Sequence, residues 1–346
     1  MGCKFSGRPR TQKSLQKREE AMQGKVKGIG ILLVSLMLLF GFTAKKVFAE
    51  WPRKPIEFVI PAGTGGGADK YARFIVSMNM KHHLLPQPMI PVNKVGGAGA
   101  IAMNYVLSHK GDDHMIVITL NSFLTTPAFQ HLPWTFRNFT PIALLALDNF
   151  PLWVHKDSPW KTFEDFIAEA KRRSITVGGT GSKQEDEIVF RAIEKIFHTK
   201  PFRYVPFKGG GAVAKALVGK QVEATVNQVS EAGPYYPDFV RPLIVFQEKR
   251  LSAKGLEWVP TSVEKGINFT YNMMRAIFAP PGISEEAKKG LVDFFCNKLF
   301  PLKEWQDYMK NFGMDPICIT GDKMVKIVEK LEKTNLKIMR EQGWIK

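Results

Sequence analysis

The chain has 346 residues, with 49 Lys and Arg against 32 Asp and Glu, a formal charge of +17. That length holds two domains of ordinary size, and three cysteines are too few for a disulfide framework. The basic excess is spread thinly, with no stripe of Lys and Arg interleaved with aromatics, so nucleic acid is not an expected partner.

The first segment reads as a secretory signal peptide. Lys4, Arg8, Arg10, Lys13, Lys17, Arg18, Lys25 and Lys27 form a basic leader, Gly28 to Thr43 is apolar, and Val47-Phe48-Ala49 ends on a small residue. The apolar run is shorter than the roughly 20 residues a membrane span requires. Cleavage is expected after Ala49, which puts the mature chain in the periplasm with about +9 of the charge. Met22, followed by Gln23-Gly24-Lys25, is an alternative start. Met1-Gly2-Cys3-Lys4-Phe5-Ser6 fits a myristoylation pattern by chance, and Cys3 precedes the apolar run where a lipid-anchoring cysteine would have to follow it. Cys296 and Cys318 alone survive cleavage; a disulfide and two buried thiols both remain open.

The mature chain then alternates strands and helices, the pattern of an α/β protein with a largely parallel sheet. Phe58-Val59-Ile60 runs into Pro61-Ala62-Gly63-Thr64-Gly65-Gly66-Gly67-Ala68-Asp69, and Tyr71, Phe74, Ile75 and Met78 then fall at the spacing of one helical face. Strand-like runs follow at Ile116–Ile118, Ile142–Leu145 and Leu152–Val154. Ile175-Thr176-Val177 leads through Gly178–Ser182 to a helical face at Ile188, Val189, Ala192, Ile193, Ile196 and Phe197. Tyr204–Phe207 leads through Lys208-Gly209-Gly210-Gly211 to a short helix at Val213, Ala216 and Leu217, which Gly219 ends. Further helical faces lie at Leu291, Phe294 and Phe295, and at Met324, Ile327, Val328 and Leu331.

Three strand–glycine–helix turns present backbone N–H groups at helix N-termini, where the dipole favours an anion. In open α/β sheets such turns converge outside the carboxyl ends of the strands. A carboxylate or phosphate is the expected guest. Glu185, Asp186 and Glu187 oppose an anion nearby, or else serve only the first turn of their helix.

Catalytic chemistry finds little support. His82, His83, His109, His114, His131, His155 and His198 form no metal-ligand spacing, and there is no Gly-x-Ser-x-Gly elbow and no Gly-Lys-Ser/Thr phosphate loop. Gly63–Ala68 satisfies Gly-x-Gly-x-x-Ala, a dinucleotide fingerprint, but no ribose-binding acid stands in Met89-Ile90-Pro91-Val92-Asn93-Lys94. An exported oxidoreductase is the alternative; neither an enzyme nor a cofactor or metal is expected.

From about Trp51 onward the chain resembles the extracytoplasmic solute receptors of tripartite tricarboxylate transporters, the TctC or Bug family. The matching segments, in order, are Trp51-Pro52-Arg53-Lys54-Pro55-Ile56, Pro61 through Asp69, Asn93 through Ala100, Phe139-Thr140-Pro141-Ile142-Ala143, Val205-Pro206-Phe207-Lys208-Gly209, and Leu217 through Glu223. The resemblance implies a two-domain, type II periplasmic-binding-protein-like fold that closes on a small di- or tricarboxylate or related organic acid. Delivery would be to the large and small membrane permease subunits. A solute sensor for a membrane kinase would share the same cleft.

Carried over residue by residue, the first jaw is Gly65, Gly66, Gly67, Ala68 and Asp69, and the second is Lys208, Gly209 and Gly210. Thr180, Gly181 and Ser182 add donors at a third helix start. Ala62 and Ala68 replace a family Phe and Thr, and Asn227 stands where the family often has an acid able to meet a ligand amine, which favours a plain carboxylate over an amino acid. Crossovers near Leu147 and Tyr271 would divide the mature chain into domain 1, residues 50–147 plus 271–346, and domain 2, residues 148–270. A monomer is expected.

Overall fold

A computed structural model describes residues 1–2 and 51–346, so the leader, its cleavage point and the alternative start lie outside the described residues. The strands are β1 (Ile56–Ile60), β2 (Met89–Asn93), β3 (Met115–Thr119), β4 (Thr140–Asn149), β5 (Pro151–His155), β6 (Thr176–Thr180), β7 (Arg203–Phe207), β8 (Ala224–Thr225), β9 (Val240–Val245), β10 (Asn272–Ala279) and β11 (Asp315–Ile319). They form two sheets, ordered β11-β4-β10-β3-β1-β2 and β7-β6-β8-β5-β9. The main helices are α1 (Gly67–His82), α2 (Ala100–Ser108), α3 (Ser122–Gln130), α4 (Phe163–Arg172), α5 (Glu185–Phe197), α6 (Gly210–Val218), α7 (Val229–Ala232), α8 (Glu285–Asp293), α9 (Lys303–Asn311) and α10 (Gly321–Glu341).

Period-two alternation sorts the side chains of each sheet between two apolar layers. In β1, Phe58 and Ile60 join Tyr71, Ile75, Leu291 and Trp305 on one face, while Val59 joins Met103, Val106 and Phe123 on the other. In β5, Leu152 and Val154 pack with Phe166, Ile188 and Ile193, whereas Trp153 faces Leu217 and Val245. Both sheets are therefore covered on both faces, as expected of strands that read as continuous apolar runs.

The sheets are mixed rather than largely parallel. β1 pairs in parallel with β2 and β3, and β6 with β7 and β8, but β10 runs antiparallel between β3 and β4, and β5 is antiparallel to both of its neighbours. The reason lies in the crossings between sheets. Only Phe150 separates β4 in the first sheet from β5 in the second, and the return runs from β9 through residues 246–271 into β10. The outgoing and returning strands lie side by side, with Asn272 opposite Asn149 and Met274 opposite Leu147, so they must be antiparallel.

A third link is helical. Met324 and Val328, near the start of α10, belong to the first sheet's core, while Met339, near its end, is buried in the second sheet's core with Leu336, Ile338, Trp344 and Ile345 against it. Cys296, in a π-helical turn over Phe294–Leu299, forms a disulfide with Cys318 of β11, their Cα atoms 5.6 Å apart. The pairing suits an oxidising compartment. No helix among the described residues is long and apolar enough to cross a membrane.

Candidate functional site

The turns that follow β1, β6 and β7 meet at the carboxyl ends of their strands. They enclose a cavity of about 50 Å³ lined by Ala62, Gly66, Gly67, Ala68, Leu120, Thr180, Gln184, Glu185, Asp186, Gly209, Gly210, Gln228, Glu231, Met273 and Arg275. That volume suits one or two waters. The jaws touch: a side chain begun at Gly63 would lie 3.0 Å from the Lys208 carbonyl oxygen, and one begun at Gly211 would lie 3.1 Å from the Gly65 carbonyl oxygen. Glycine at these positions permits backbone to approach backbone.

Of the residues singled out from the sequence, Gly66, Gly67, Ala68, Thr180, Gly209 and Gly210 line the cavity. Gly65, Asp69, Gly181, Ser182, Lys208 and Asn227 do not, and each has another position or task. Asp69 is buried, and its carboxylate accepts from Gly65 N (2.9 Å), Arg73 Nε (2.9 Å) and Asn93 Nδ2 (2.9 Å), so it shapes the first jaw. Burial opposes its ionisation, but these three donors outweigh it and hold the carboxyl below its ordinary value. Lys208 and Ser182 are exposed. Asn227 donates to the Gly210 carbonyl (3.0 Å) and to Glu231 Oε2 (2.9 Å), setting the second jaw and that acid.

Glu231 was not singled out from the sequence. It lies on α7, and its Oε1 accepts from Gly67 N at 2.8 Å across 164 residues of chain, so the anion position at the start of α1 holds a carboxylate of the protein itself. A side chain begun at Gly210 would fall 2.0 Å from that same Oε1. The only sequence signal was its place four residues after Asn227. Other turns are capped the same way. Ser122 N, at the start of α3, donates to Glu185 Oε1; Thr180 N donates to Asp186 Oδ2 (2.5 Å), and Lys183 N to Glu187 Oε2 (2.7 Å). Glu185 and Asp186 therefore do more than serve their own helix: both are buried in the cavity wall.

Burial pushes the Asp186 carboxyl well above its ordinary value, with Glu231 and Glu185 adding to the rise against the Thr180 N–H; burial also raises Glu185, against the pull of the Ser122 N–H and Arg275. Arg275 is the one cation among the lining residues, and it is already matched: Nη2 lies 2.6 Å from Asp148 Oδ2, with both side chains 2% exposed. Burial alone would lower the guanidinium's pKa, but Asp148 holds it above its ordinary value. This pair joins β4 to β10 beneath the cavity. Like charges about 5 Å apart at an effective dielectric near 20 repel by about 3 kcal/mol, so the sign of an entering group matters greatly here.

Among the described residues there is no cluster of His, Cys, Asp and Glu able to hold a metal ion. The dinucleotide fingerprint at Gly63–Ala68 does open α1, but Gly67 N is already taken by Glu231, and β2 ends at Asn93, whose amide binds Asp69 and the Ala62 carbonyl.

Residues 72–344 match the family model described as the tripartite tricarboxylate transporter family receptor. A UPF0065 protein of Cupriavidus necator is 26% identical over 300 residues, covering 86% of this chain and 90% of that protein. Among solved structures, a ligand-free TctC solute-binding protein from Polaromonas superposes with a TM-score of 0.63 at 28% identity, over 84% of this chain and 99% of the other. An R. palustris protein solved with adipate reaches 0.77 at 22% identity, over 85% and 99%. The order of motifs, the two-sheet fold and the family match over most of the sequence agree: the chain belongs to the tripartite tricarboxylate transporter receptor family, TctC.

Proposed function

We propose that this chain is an extracytoplasmic receptor, not an enzyme, that closes on a small organic acid and delivers it to the large and small permease subunits of a tripartite tricarboxylate transporter. The observation that carries the reading is the convergence of two glycine jaws, one from each sheet, on a shared cavity at helix N-termini. The lobes that close are residues 50–147 with 271–346, and residues 148–270, moving about the paired crossings near Leu147 and Tyr271. The jaws are Gly65–Asp69 and Lys208–Gly210, with Thr180–Ser182 beside them and Asn227 behind the second. Export with cleavage after Ala49 would place the receptor in the periplasm, as a monomer. The adipate seen in the R. palustris relative supports an organic acid as cargo.

Thermal melts of the exported chain against a panel of organic acids test this directly. A ligand that binds only the folded form raises the melting temperature with concentration. No shift with any acid would remove the organic-acid reading.

A further inference from the structure

A second cavity, of about 520 Å³ against about 50 Å³ between the jaws, lies where the chain crosses between the sheets. Leu147 at the outgoing crossing and Tyr271 at the return both line it, and it shares no lining residue with the jaws. In the order β11-β4-β10-β3-β1-β2, its walls from β4 and β11 stand on the far side of β10 from β1, which the first jaw follows. Its volume falls within the roughly 300–1,000 Å³ of small-molecule sites, which favour junctions between domains.

The floor is apolar. Leu147, Ile317, Ile327 and Leu331, from β4, β11 and α10, are half-buried side chains that pack on the first sheet's core and also line the cavity. The buried polar pair in the wall is already satisfied, with the Tyr271 hydroxyl donating to Asn335 Oδ1 at 2.6 Å.

The rim carries charge, and its sign follows from which charges are spent. Arg250 is paired with Glu264, which leaves Lys249 and Lys330 facing Glu248 and Asp315, none of them in an ion pair among the described residues. The exposed side of α10 breaks this balance. It carries Lys323, Lys326, Lys330, Lys333 and Lys337, none in an ion pair among the described residues, whereas its acids Glu329 and Glu332 are held by Arg137, and Glu341 by Lys195; Asp322 is left. Lys323, Lys330 and Lys337 recur at seven-residue spacing, two helical turns, and so run along the same edge of the groove. An apolar floor beside a basic helix edge complements a molecule that is apolar along its body and negative at one end.

We propose that this cavity is a second small-molecule site, for an amphipathic anion with one acid group on an apolar body. Its walls come from both lobes: residues 247–250 from the second, β11 and α10 from the first. An occupant therefore touches both sides of the pivot, and its affinity changes when the lobes turn. The site stands whether or not the jaws take an organic acid; only its coupling to lobe motion rests on the receptor reading.

The probe is anilinonaphthalene sulfonate, an apolar body with one acid group whose fluorescence rises when it leaves water. Titrated into the folded, exported chain, it is expected to saturate one site per chain and to be displaced by decanoate but not by decyltrimethylammonium. Lys249→Glu and Lys330→Glu are each expected to weaken it about tenfold. Thr334→Trp, which fills the groove from α10, is expected to abolish binding, and Gly209→Asp at the jaws to leave it unchanged; the melting temperature of each variant checks its fold. Displacement by the cation as readily as by decanoate, or affinity untouched by both lysine reversals, overturns the anion. Absence of saturable binding, or binding lost in Gly209→Asp and kept in Thr334→Trp, overturns the second site. A dimer in sedimentation that Thr334→Trp dissociates gives the groove to a second copy of the chain and overturns the small molecule. For the coupling, saturating decanoate is expected to change the radius of gyration in X-ray scattering, and an unchanged radius overturns the link between the lobes.

Discussion

The turns of the first and second jaws share a plan of strand, glycines and helix, yet the structure uses them differently. The first is tied by charge at each end: Asp69 fastens Gly65 to Arg73 and Asn93, and Glu231 reaches from the other sheet's side of the cleft to cap Gly67. The second has Lys208 exposed and nothing within 4 Å of where a Gly209 side chain would start; its one side-chain tie is Asn227 on the Gly210 carbonyl. A helix start is a general anion receiver, and which acids the rest of the fold delivers to it decides whether it becomes a fixed wall or remains an open hand.

The contrast breaks most completely at the support beneath the first turn. Arg275→Met would leave Asp148 as a buried charge with no partner, and the expected loss is about 3–5 kcal/mol in denaturant unfolding. Next in size, Gly209→Asp sets a negative charge at the open turn, so affinity should fall by at least 100-fold, about 2.7 kcal/mol. A non-glycine residue at this φ of +153° also strains the backbone, at a cost to the fold of about 1–3 kcal/mol. Unchanged affinity in that variant would remove the second jaw from the site. Gly210→Ala drives a methyl group into the Glu231 carboxylate, whose atoms stand 2.0–2.2 Å from that point. Overpacking of this kind costs about 1–3 kcal/mol, measurable as a lower melting temperature.

The smallest effects concern pH and have opposite signs at two acids. Asp69, held below its ordinary value of 3.8, contributes stability that is present above 3.8 and is lost as pH falls through its folded value. Asp186, held well above 3.8, binds a proton more readily when folded, so its term favours folding increasingly as pH falls from that raised value toward 3.8. Asp69→Asn should therefore flatten the limb of a stability profile below 3.8, and Asp186→Asn the limb above 3.8. Identical profiles in the two variants would contradict the assignment of both acids.

What could be read in advance followed how local each feature is. The strands at Phe58–Ile60, Ile116–Ile118 and Leu152–Val154, and the helix that Gly219 ends, are set by neighbouring residues and stand where their patterns put them. The antiparallel β10 was missed because its direction follows from where β4 crosses between sheets, a property of the whole chain path. Asp69 looked equally able to hold a ligand or a helix start; its ties to Gly65, Arg73 and Asn93, up to 24 residues away, were not visible in the sequence pattern. Glu231 gave almost no sign of its role, because the N–H it caps lies 164 residues away.

One consequence concerns α10, a single helix of 21 residues with Val328 in one core and Met339 in the other. A stiff rod anchored at both ends resists any hinge that lengthens or shortens the distance between its anchors. On the receptor reading, a hinge motion that changes that distance has to loosen one anchor, at Met324 and Val328 or at Met339, Trp344 and Ile345. A fluorophore near Lys346 would then work as a gauge for the distant cleft, brightening or dimming as solute comes and goes without touching the binding residues.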